Sequence, residues 1–238
     1  MKPYYQDEYV TIYHGDCLET MNVLNDGSMD LLITDPPYNI GKKYGPGTND
    51  SRGLEEYWQW FRDVFSLAYQ KMSDGYVYIS HSDKGVYIAK PELETIGNEY
   101  IQTLIWWGRN GYSMQLHRKS WSYRHEPILF FCKGDPDPLL VGDKGMWYTS
   151  VIEVPRPQSN FSEGRYHPTQ KPVNLYKTLI ARTPGEVIFD PFMGSGTSLI
   201  AAKSLCRRAV GIEIEEEYCE IAANRLRQGV LNLTQQMV

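Results

Sequence analysis

The sequence is poor in cysteine and has no long apolar run. Its four cysteines lie far apart, and none belongs to a Cys-x-x-Cys pair or stands at zinc-ligand spacing from a histidine. No uninterrupted apolar stretch approaches the roughly 20 residues that a membrane span needs, and none follows a basic start. We therefore expect a soluble, cytoplasmic protein with reduced thiols, without a membrane segment and without a metal site.

Internal repeats are also absent, and the composition predicts a single domain. With 238 residues and 42% hydrophobic content, the chain is long enough for one buried core and short for two. Short apolar runs alternate with segments of helical periodicity, which favours an α/β fold with a mostly parallel central sheet and helices on both faces. The predicted strands are Met29–Thr34, Tyr76–Ser80, Ile101–Trp106, Ile128–Phe131, Glu186–Asp190 and Arg208–Glu213.

Apolar residues at steps of three and four predict the main helices. One stripe runs from Leu54 to Met72, and a second helix has Pro172 in its first turn and ends near residue 184. A third helix runs from about Glu215 to Gln228, and Gly229 is its expected stop. Two Gly- and Pro-containing segments, 39–53 and 133–167, are predicted as long loops, which in a compact domain are often functional.

Acidic residues are missing between Glu99 and Glu126, although the whole chain has a formal net charge of -5. This stretch holds four basic residues, Arg109, Arg118, Lys119 and Arg124, interleaved with the rings of Trp106, Trp107, Tyr112, Trp121 and Tyr123. Cations beside stackable rings are typical of nucleic-acid surfaces. A strand pair with a solvated basic face and core aromatics explains the same stretch equally well.

The most specific motif is Asp35-Pro36-Pro37-Tyr38, directly after the apolar run that ends at Thr34. Open α/β sheets bind ligands at such strand ends. The amine of a nucleobase is a poor nucleophile, because its lone pair is delocalised into the ring. The Asp35 carboxylate and the Pro36 carbonyl can accept both amine hydrogens, on a backbone that the prolines stiffen. Tyr38 can stack on the base. The alternative is an ordinary Pro-Pro turn.

A glycine-containing turn follows the strand that ends at Asp190, and it predicts a cofactor site. The candidate residues are Asp190, Phe192, Gly194, Ser195, Gly196 and Thr197. Leu199 stands where a dinucleotide fingerprint needs a third small residue, which counts against an NAD-dependent oxidoreductase, and a Walker lysine is missing. Two glycines suit a cofactor without a pyrophosphate, such as S-adenosylmethionine. Glu213, at the end of the next strand, can bind both ribose hydroxyls.

Two weaker motifs complete the predicted cofactor site. His167, Thr169 and Lys171 precede a helix and can bind the carboxylate of a methionine moiety, although an ordinary capped helix explains them as well. Asp16 and Cys17 can contact the adenine of the cofactor.

In this order, the motifs resemble the β class of DNA amino-methyltransferases of bacteria and their phages. In that class the Asp-Pro-Pro-Tyr block precedes the Phe-x-Gly-x-Gly block, as Asp35–Tyr38 and Phe192–Gly196 do here. The resemblance spans nearly the whole chain, from Gly15 to Arg225. It implies a permuted Rossmann-like methyltransferase fold, S-adenosylmethionine as cofactor, duplex DNA as partner and a flipped target base.

The resemblance also sets expectations about the target base, the recognition segment and the assembly. Asp at the first motif position accompanies adenine more often than cytosine in this family, so adenine N6 is the expected target and cytosine N4 the alternative. An RNA or protein methyltransferase, or a DNA-binding protein that has lost catalysis, is also consistent with single motifs. A short target-recognition insert is expected at about 132–166, and a homodimer is possible. Asn39, Lys42 and Lys43 are further candidates for DNA contact.

Overall fold

The computed structural model describes residues 1–42, 45–46, 48, 50–110, 121–141, 148–158 and 170–235. Their strands are β1 (Tyr5–Gln6), β2 (Val10–His14), β3 (Met29–Thr34), β4 (Met72–Ser80), β5 (Glu99–Trp107), β6 (His125–Lys133), β7 (Val151–Glu153), β8 (Val187–Asp190) and β9 (Arg208–Glu213). Their helices are α1 (Cys17–Met21), α2 (Leu54–Lys71), α3 (Val86–Ile96), α4 (Val173–Arg182), α5 (Thr197–Ser204) and α6 (Glu216–Gln235).

The strands form one sheet in the order β1-β2-β9-β8-β3-β4-β6-β5-β7. Strands β2, β9, β8, β3 and β4 run parallel to one another, and β7 runs parallel to β5. Strand β6 is antiparallel to both of its neighbours, and β1 is antiparallel to β2. The predicted α/β fold with a mostly parallel sheet is therefore confirmed.

Alternate residues of the central strands pack into two hydrophobic layers, one on each face of the sheet. Leu31 and Ile33 of β3 contact the layer that includes residues of α4, α5 and α6. Leu32, between them, belongs to the opposite layer, which includes residues of α1, α2 and α3. Because successive side chains of a strand point to opposite faces, a continuous apolar run is what a doubly covered parallel strand needs.

Several elements differ from the sequence-based expectations. The bounds of β3 and β9 match, but β1, β2, β7, α1 and α3 were not predicted. Helix α3 forms despite Pro91 in its interior, because Ala89 and Leu93 are fully buried against the sheet. Pro172 precedes α4 as its N-cap instead of lying in the first turn. The stop expected at Gly229 is wrong, since α6 continues to Gln235.

The sheet gathers chain segments that are distant in sequence at one edge. The parallel strands β3, β4, β8 and β9 all end there, and antiparallel β6 begins there, because Ile128 lies opposite Ser80. Helices α2 and α5 lead from β3 and β8 into opposite layers. A crevice opens between adjacent strands whose connections diverge in this way, and ligands bind at such a position.

Candidate active site

A cavity of about 980 Å³ lies at this edge and joins the two predicted motifs. Its walls include residues of both: Asp35, Pro36, Pro37, Tyr38, Asp190, Phe192, Gly194, Ser195, Thr197 and Glu213. Asp16 and Cys17, which precede and open α1, line the same space. The structure thus brings the predicted acceptor residues and most of the predicted cofactor residues into one continuous pocket.

Asp35 follows β3, and both of its carboxylate oxygens already accept hydrogen bonds. The hydroxyl of Tyr38 donates to Oδ1, and the ammonium of Lys171 donates to Oδ2 at 2.6 Å. Burial, together with the Asp35 carboxylate, raises the pKa of Tyr38 well above its ordinary value, so the phenol remains a donor. Asp35 is therefore held as an acceptor, in a fixed orientation and without solvent as its main partner.

Lys171 connects Asp35 to a second carboxylate that the sequence did not single out. Its ammonium lies 2.9 Å from Oε2 of Glu126, whose Oε1 accepts from Arg156 at 2.8 Å. Burial alone would lower the pKa of Lys171, but Asp35 and Glu126 outweigh it and raise that pKa. The structure places the charge of Lys171 between two protein carboxylates, in the wall of the cavity. Its predicted contact with the methionine end of the cofactor stays a prediction.

A chain of hydrogen bonds fixes the backbone of the proline pair. The hydroxyl of Tyr57 donates to the Pro37 carbonyl and contacts Nε2 of His81, both at 2.8 Å. The backbone N–H of Ser82 donates to Nδ1 of His81 at 2.8 Å, so Nε2 carries the proton and donates to Tyr57. Burial lowers the pKa of His81 to about 4, which keeps the ring neutral.

Aromatic rings form a stack behind the predicted base site. The rings of Tyr38 and His81 are nearly parallel, with centroids 4.9 Å apart. Trp58 stacks on His81 at 5.7 Å. One face of Tyr38 is therefore covered by His81, and the ammonium of Lys171 also lies over the ring, 5.5 Å from its centroid. Stacking of a base on Tyr38 stays a prediction.

The glycine-containing turn after β8 is shaped by close packing. Gly196 has a left-handed backbone (φ 78°) and directly precedes α5, and a Cβ there would lie 2.7 Å from the Cβ of Ala222. Asp190 is buried and accepts from Thr34 at 2.7 Å, from Ser198 and from the Phe192 N–H at 3.0 Å. Asp190 thus connects the turn to Thr34 of β3 and to Ser198 of α5. Burial raises its pKa to about 6.

Ser195 and Thr197 of the same turn face α6. The guanidinium of Arg225 donates to the Ser195 carbonyl at 2.6 Å and lies 3.4 Å from the Thr197 hydroxyl. Both residues still line the cavity. Their contacts with Arg225 hold the turn in place at the start of α5.

Glu213 ends β9 and points back to the glycine turn. The Gly194 N–H donates to its Oε2 at 3.0 Å, and the Glu215 N–H donates to its Oε1 at 2.9 Å. Burial raises the pKa of Glu213 to about 7. Each carboxylate oxygen retains a further lone pair that can accept a hydrogen bond. These acceptors, with Phe192 and Asp16 lining the same cavity, fit the ribose hydroxyls and the adenine of a nucleoside cofactor.

Asp16 and Cys17 are also engaged by the chain itself. Asp16 caps α1, accepting from the N–H groups of Leu18 at 2.8 Å and Glu19 at 3.3 Å. Cys17 is buried, and burial raises the pKa of its thiol to about 12. The neutral thiol is therefore a packing surface in the cavity wall.

The predicted DNA-contact residues lie in the cavity wall, on the exposed surface next to β5 and β6, or outside the described part of the chain. Arg109 and Arg124 are exposed near the ends of β5 and β6, and Arg109 pairs with Glu153 at 3.1 Å. Lys42 lines the cavity. Asn39 also lines it, and its side-chain amide donates to the Arg52 carbonyl at 3.0 Å and accepts from the Arg52 N–H at 2.8 Å. Residues Lys43, Arg118, Lys119, His167 and Thr169 lie outside the described residues.

Comparisons with known proteins show which family the chain belongs to. Residues 29–224 match the N6_N4_Mtase family, described as DNA methylase. The chain belongs to this DNA methylase family. It is 32% identical over 233 residues to type II methyltransferase M.HpaI of Haemophilus parainfluenzae, covering 89% of this chain and 72% of that protein. It is 29% identical over 255 residues to DNA adenine methyltransferase YhdJ of Escherichia coli (strain K12), covering 92% and 83%.

Solved structures extend the similarity of this DNA methylase to three dimensions. A crystal structure of an M1.HpyAVI-SAM complex superimposes with a TM-score of 0.72 and 25% identity, covering 91% of this chain and 98% of that one. The cytosine-N4-specific PvuII DNA methyltransferase gives a TM-score of 0.73 with 19% identity, over 95% and 88% of the two chains, and so supports the fold alone. The predicted family and the predicted methyltransferase fold are confirmed.

Two findings concern the described part of this DNA methylase only. None of its described helices is both long and apolar enough to cross a membrane. Among the same residues, His, Cys, Asp and Glu side chains form no group of three or more that could hold a metal ion.

Proposed function

We propose that this DNA methylase transfers the methyl group of S-adenosylmethionine to the N6 amine of an adenine flipped out of duplex DNA. Family membership establishes the DNA methyltransferase activity, and S-adenosylmethionine is the cofactor of the family. The observation that carries the residue roles is the single cavity that joins Asp35 and the Pro36 carbonyl to Glu213 and the glycine turn.

The acceptor residues make the amine more nucleophilic. When Asp35 Oδ1 and the Pro36 carbonyl each accept one amine hydrogen, the nitrogen lone pair is drawn out of conjugation with the ring. Tyr57 and His81 hold the adjacent Pro37 carbonyl, so the acceptor backbone is rigid before the base arrives. Well-oriented reactants can save roughly 7–11 kcal/mol of barrier. The bound cofactor supplies the electrophilic sulfonium methyl group.

The proton balance needs no strong base. The amine nitrogen would form one bond to the methyl carbon, whose bond to the sulfonium sulfur breaks and leaves a neutral thioether, and the amine would lose one proton along its hydrogen bond to Asp35. Lys171 lies on the other oxygen of Asp35 at 2.6 Å and keeps that carboxylate oriented throughout. Asp35 therefore acts chiefly as an oriented acceptor.

Adenine is favoured over cytosine by three observations of unequal weight. The first motif residue is Asp35, which accompanies adenine more often in the resembling class. The DNA adenine methyltransferase YhdJ is 29% identical, whereas the similarity to the cytosine-N4 enzyme concerns the fold. An A·T pair also has fewer hydrogen bonds to break when the base is flipped.

The target base is tested by labelling DNA with methyl-labelled cofactor, digesting it and identifying the labelled nucleoside. We expect the label in N6-methyldeoxyadenosine and none in deoxycytidine. Label in N4-methyldeoxycytidine alone would overturn the adenine assignment and leave the family assignment intact. Parallel reactions with RNA of the same sequence provide the control for substrate class.

We also propose that Arg109, which follows β5, and Arg124, which precedes β6, contact DNA phosphates together with Arg118 and Lys119. Both arginines are exposed, and so is Trp121 (94%), which supports a nucleic-acid surface here. Replacing Arg109 and Arg124 with glutamate is expected to weaken binding to all DNA sequences and to lower the salt slope by about one unit per lost contact. An unchanged slope would assign these residues to a solvated face.

The assembly and place of action are further proposals. One small protein offers little surface for duplex DNA, where specific interfaces bury roughly 1,000–2,500 Å² of protein, so we propose a homodimer. The segment at about 132–166 is proposed as the target-recognition insert, and the cytoplasm as the compartment, because bacterial DNA lies there. Sedimentation that shows only monomer, with and without DNA, would contradict the homodimer.

A further inference from the structure

The acceptor Asp35 belongs to a group of four charged side chains, of which only Asp35 and Lys171 are in the predicted motifs. Lys171 joins Asp35 and Glu126, and Arg156 joins Glu126 from the other side, at distances of 2.6, 2.9 and 2.8 Å. Asp35 follows β3, Glu126 begins β6, Arg156 follows β7 and Lys171 precedes α4. We call these four residues the ion-pair network.

We propose that Glu126 is a positioning residue for methyl transfer. It holds the Lys171 ammonium against Oδ2 of Asp35 and so keeps that ammonium away from Oδ1, where the base amine takes the place of the Tyr38 hydroxyl. This inference rests on the proposed function of Asp35. Glu126 acts through Lys171, so it is not itself a catalytic residue.

The balance of charge supports this role. The side chain of Lys171 is only 5% exposed, and a buried ammonium is costly unless carboxylates surround it. Two carboxylates and two cations make the ion-pair network neutral as a whole. Burial would raise the pKa of Glu126, but Lys171 and Arg156 lower it to about 2, so the charge persists at neutral pH.

The geometry explains why the second carboxylate is needed. The ammonium of Lys171 also lies 3.3 Å from the Tyr38 hydroxyl, which itself donates to Oδ1 of Asp35. With Glu126 in place, the ammonium is pulled toward β6 and spans the two carboxylates. Without that pull, it can shift toward Oδ1 and compete with the base for the acceptor. A displacement of about 1 Å at such a site can cost about a hundredfold in rate.

A purely structural role for Glu126 predicts a different outcome. Arg156 also packs over the ring of Trp106, 4.6 Å from its centroid, so Glu126 ties β6 to the segment after β7. A structural tie affects melting temperature and all kinetic constants together. A positioning role lowers kcat and leaves the KM for the cofactor unchanged, because the ribose site at Glu213 is separate.

The experiment compares Glu126→Gln with the matched variant Glu92→Gln on the full-length protein. Glu92 forms a similar half-buried pair with Arg62 at 3.0 Å, away from the cavity. We expect Glu126→Gln to lower kcat for DNA methylation by about ten- to a hundredfold with an unchanged KM for S-adenosylmethionine. Glu92→Gln should keep the wild-type kcat. Glu126→Asp, which retains the charge, should recover part of the loss.

The double variant Glu126→Gln/Lys171→Met keeps the inference testable if the single variant unfolds, because it removes one charge of each sign. We expect it to be no slower than Lys171→Met alone, since Glu126 acts through Lys171. The inference is wrong if the factors by which the two substitutions lower kcat multiply in the double variant. It is also wrong if Glu126→Gln has the same kcat as Glu92→Gln. A wild-type protein that methylates no base amine would instead overturn the proposed function, so the two failures are distinguishable.

Discussion

Replacing Asp35 with alanine is expected to lower the rate of methyl transfer by about a thousandfold while leaving the affinity for S-adenosylmethionine nearly unchanged. Removing one oriented hydrogen-bonding group from an active site costs about a hundred- to a thousandfold in rate, and Asp35 is a charged acceptor in a largely buried site. Its side-chain hydrogen bonds are with Tyr38 and Lys171, whereas those of Glu213 are with the N–H groups of Gly194 and Glu215. The measurements are single-turnover methylation of DNA and calorimetric titration with the cofactor.

Asp26→Ala is the matched control for this variant. Asp26 pairs with the buried Lys71 at 2.6 Å, the same distance that separates Asp35 from the buried Lys171, but it lies outside the cavity. The control removes a carboxylate from a buried lysine without touching the acceptor, and it should retain the wild-type rate. Strongly weakened cofactor binding with retained turnover in Asp35→Ala would show that its assignment as the acceptor is wrong.

Replacing Glu213 with alanine is expected to have the opposite effect. The dissociation constant for S-adenosylmethionine should rise by at least about a hundredfold, because two hydrogen bonds to a charged group contribute about 1.5–3 kcal/mol each. At saturating cofactor, the rate of methyl transfer should fall far less, since Glu213 does not contact the base. The exposed Glu217→Ala, on the first turn of α6, is the control. Unchanged cofactor affinity in Glu213→Ala would contradict the ribose assignment.

The pH dependence of cofactor affinity tests the same residue. Burial raises the pKa of Glu213 to about 7, so its carboxyl is mostly protonated at about pH 6 and mostly ionised at about pH 8. The ionised form offers more acceptor lone pairs to the ribose hydroxyls. Affinity should therefore rise about tenfold as pH increases through this range. In Glu213→Gln this rise should disappear.

Elements with long, regular apolar patterns could be predicted from the sequence. Strands β3 and β9 have the predicted bounds, because their β-branched and apolar runs lie between clear turn residues. Strand β7 has three residues and is defined by its parallel pairing with β5, which no local pattern reveals. Helix α6 passes Gly229, because the cost of one glycine, about 1 kcal/mol, does not by itself end a helix.

The motif residues of the candidate site could also be predicted, but their partners could not. Asp35 and Glu213 stand at strand ends in recognisable patterns. Glu126 and Arg156 belong to no motif, and they meet Lys171 only because the sheet order brings the start of β6 beside the end of β4. The one sequence signal is that Glu126 is the acidic residue at which the acid-free stretch after Glu99 ends.

The hydroxyl of Tyr38 on Oδ1 of Asp35 has a consequence for which bases the resting enzyme admits. An incoming amine exchanges one donor to Oδ1 for another, so the number of hydrogen bonds that Oδ1 accepts is unchanged. Thymine and guanine carry an oxygen acceptor where adenine and cytosine carry the amine. An acceptor cannot replace the Tyr38 donor and would face the Asp35 carboxylate. The tyrosine therefore works as an internal competitor that only a donor can displace, and rejection of the wrong bases begins before the cofactor takes part.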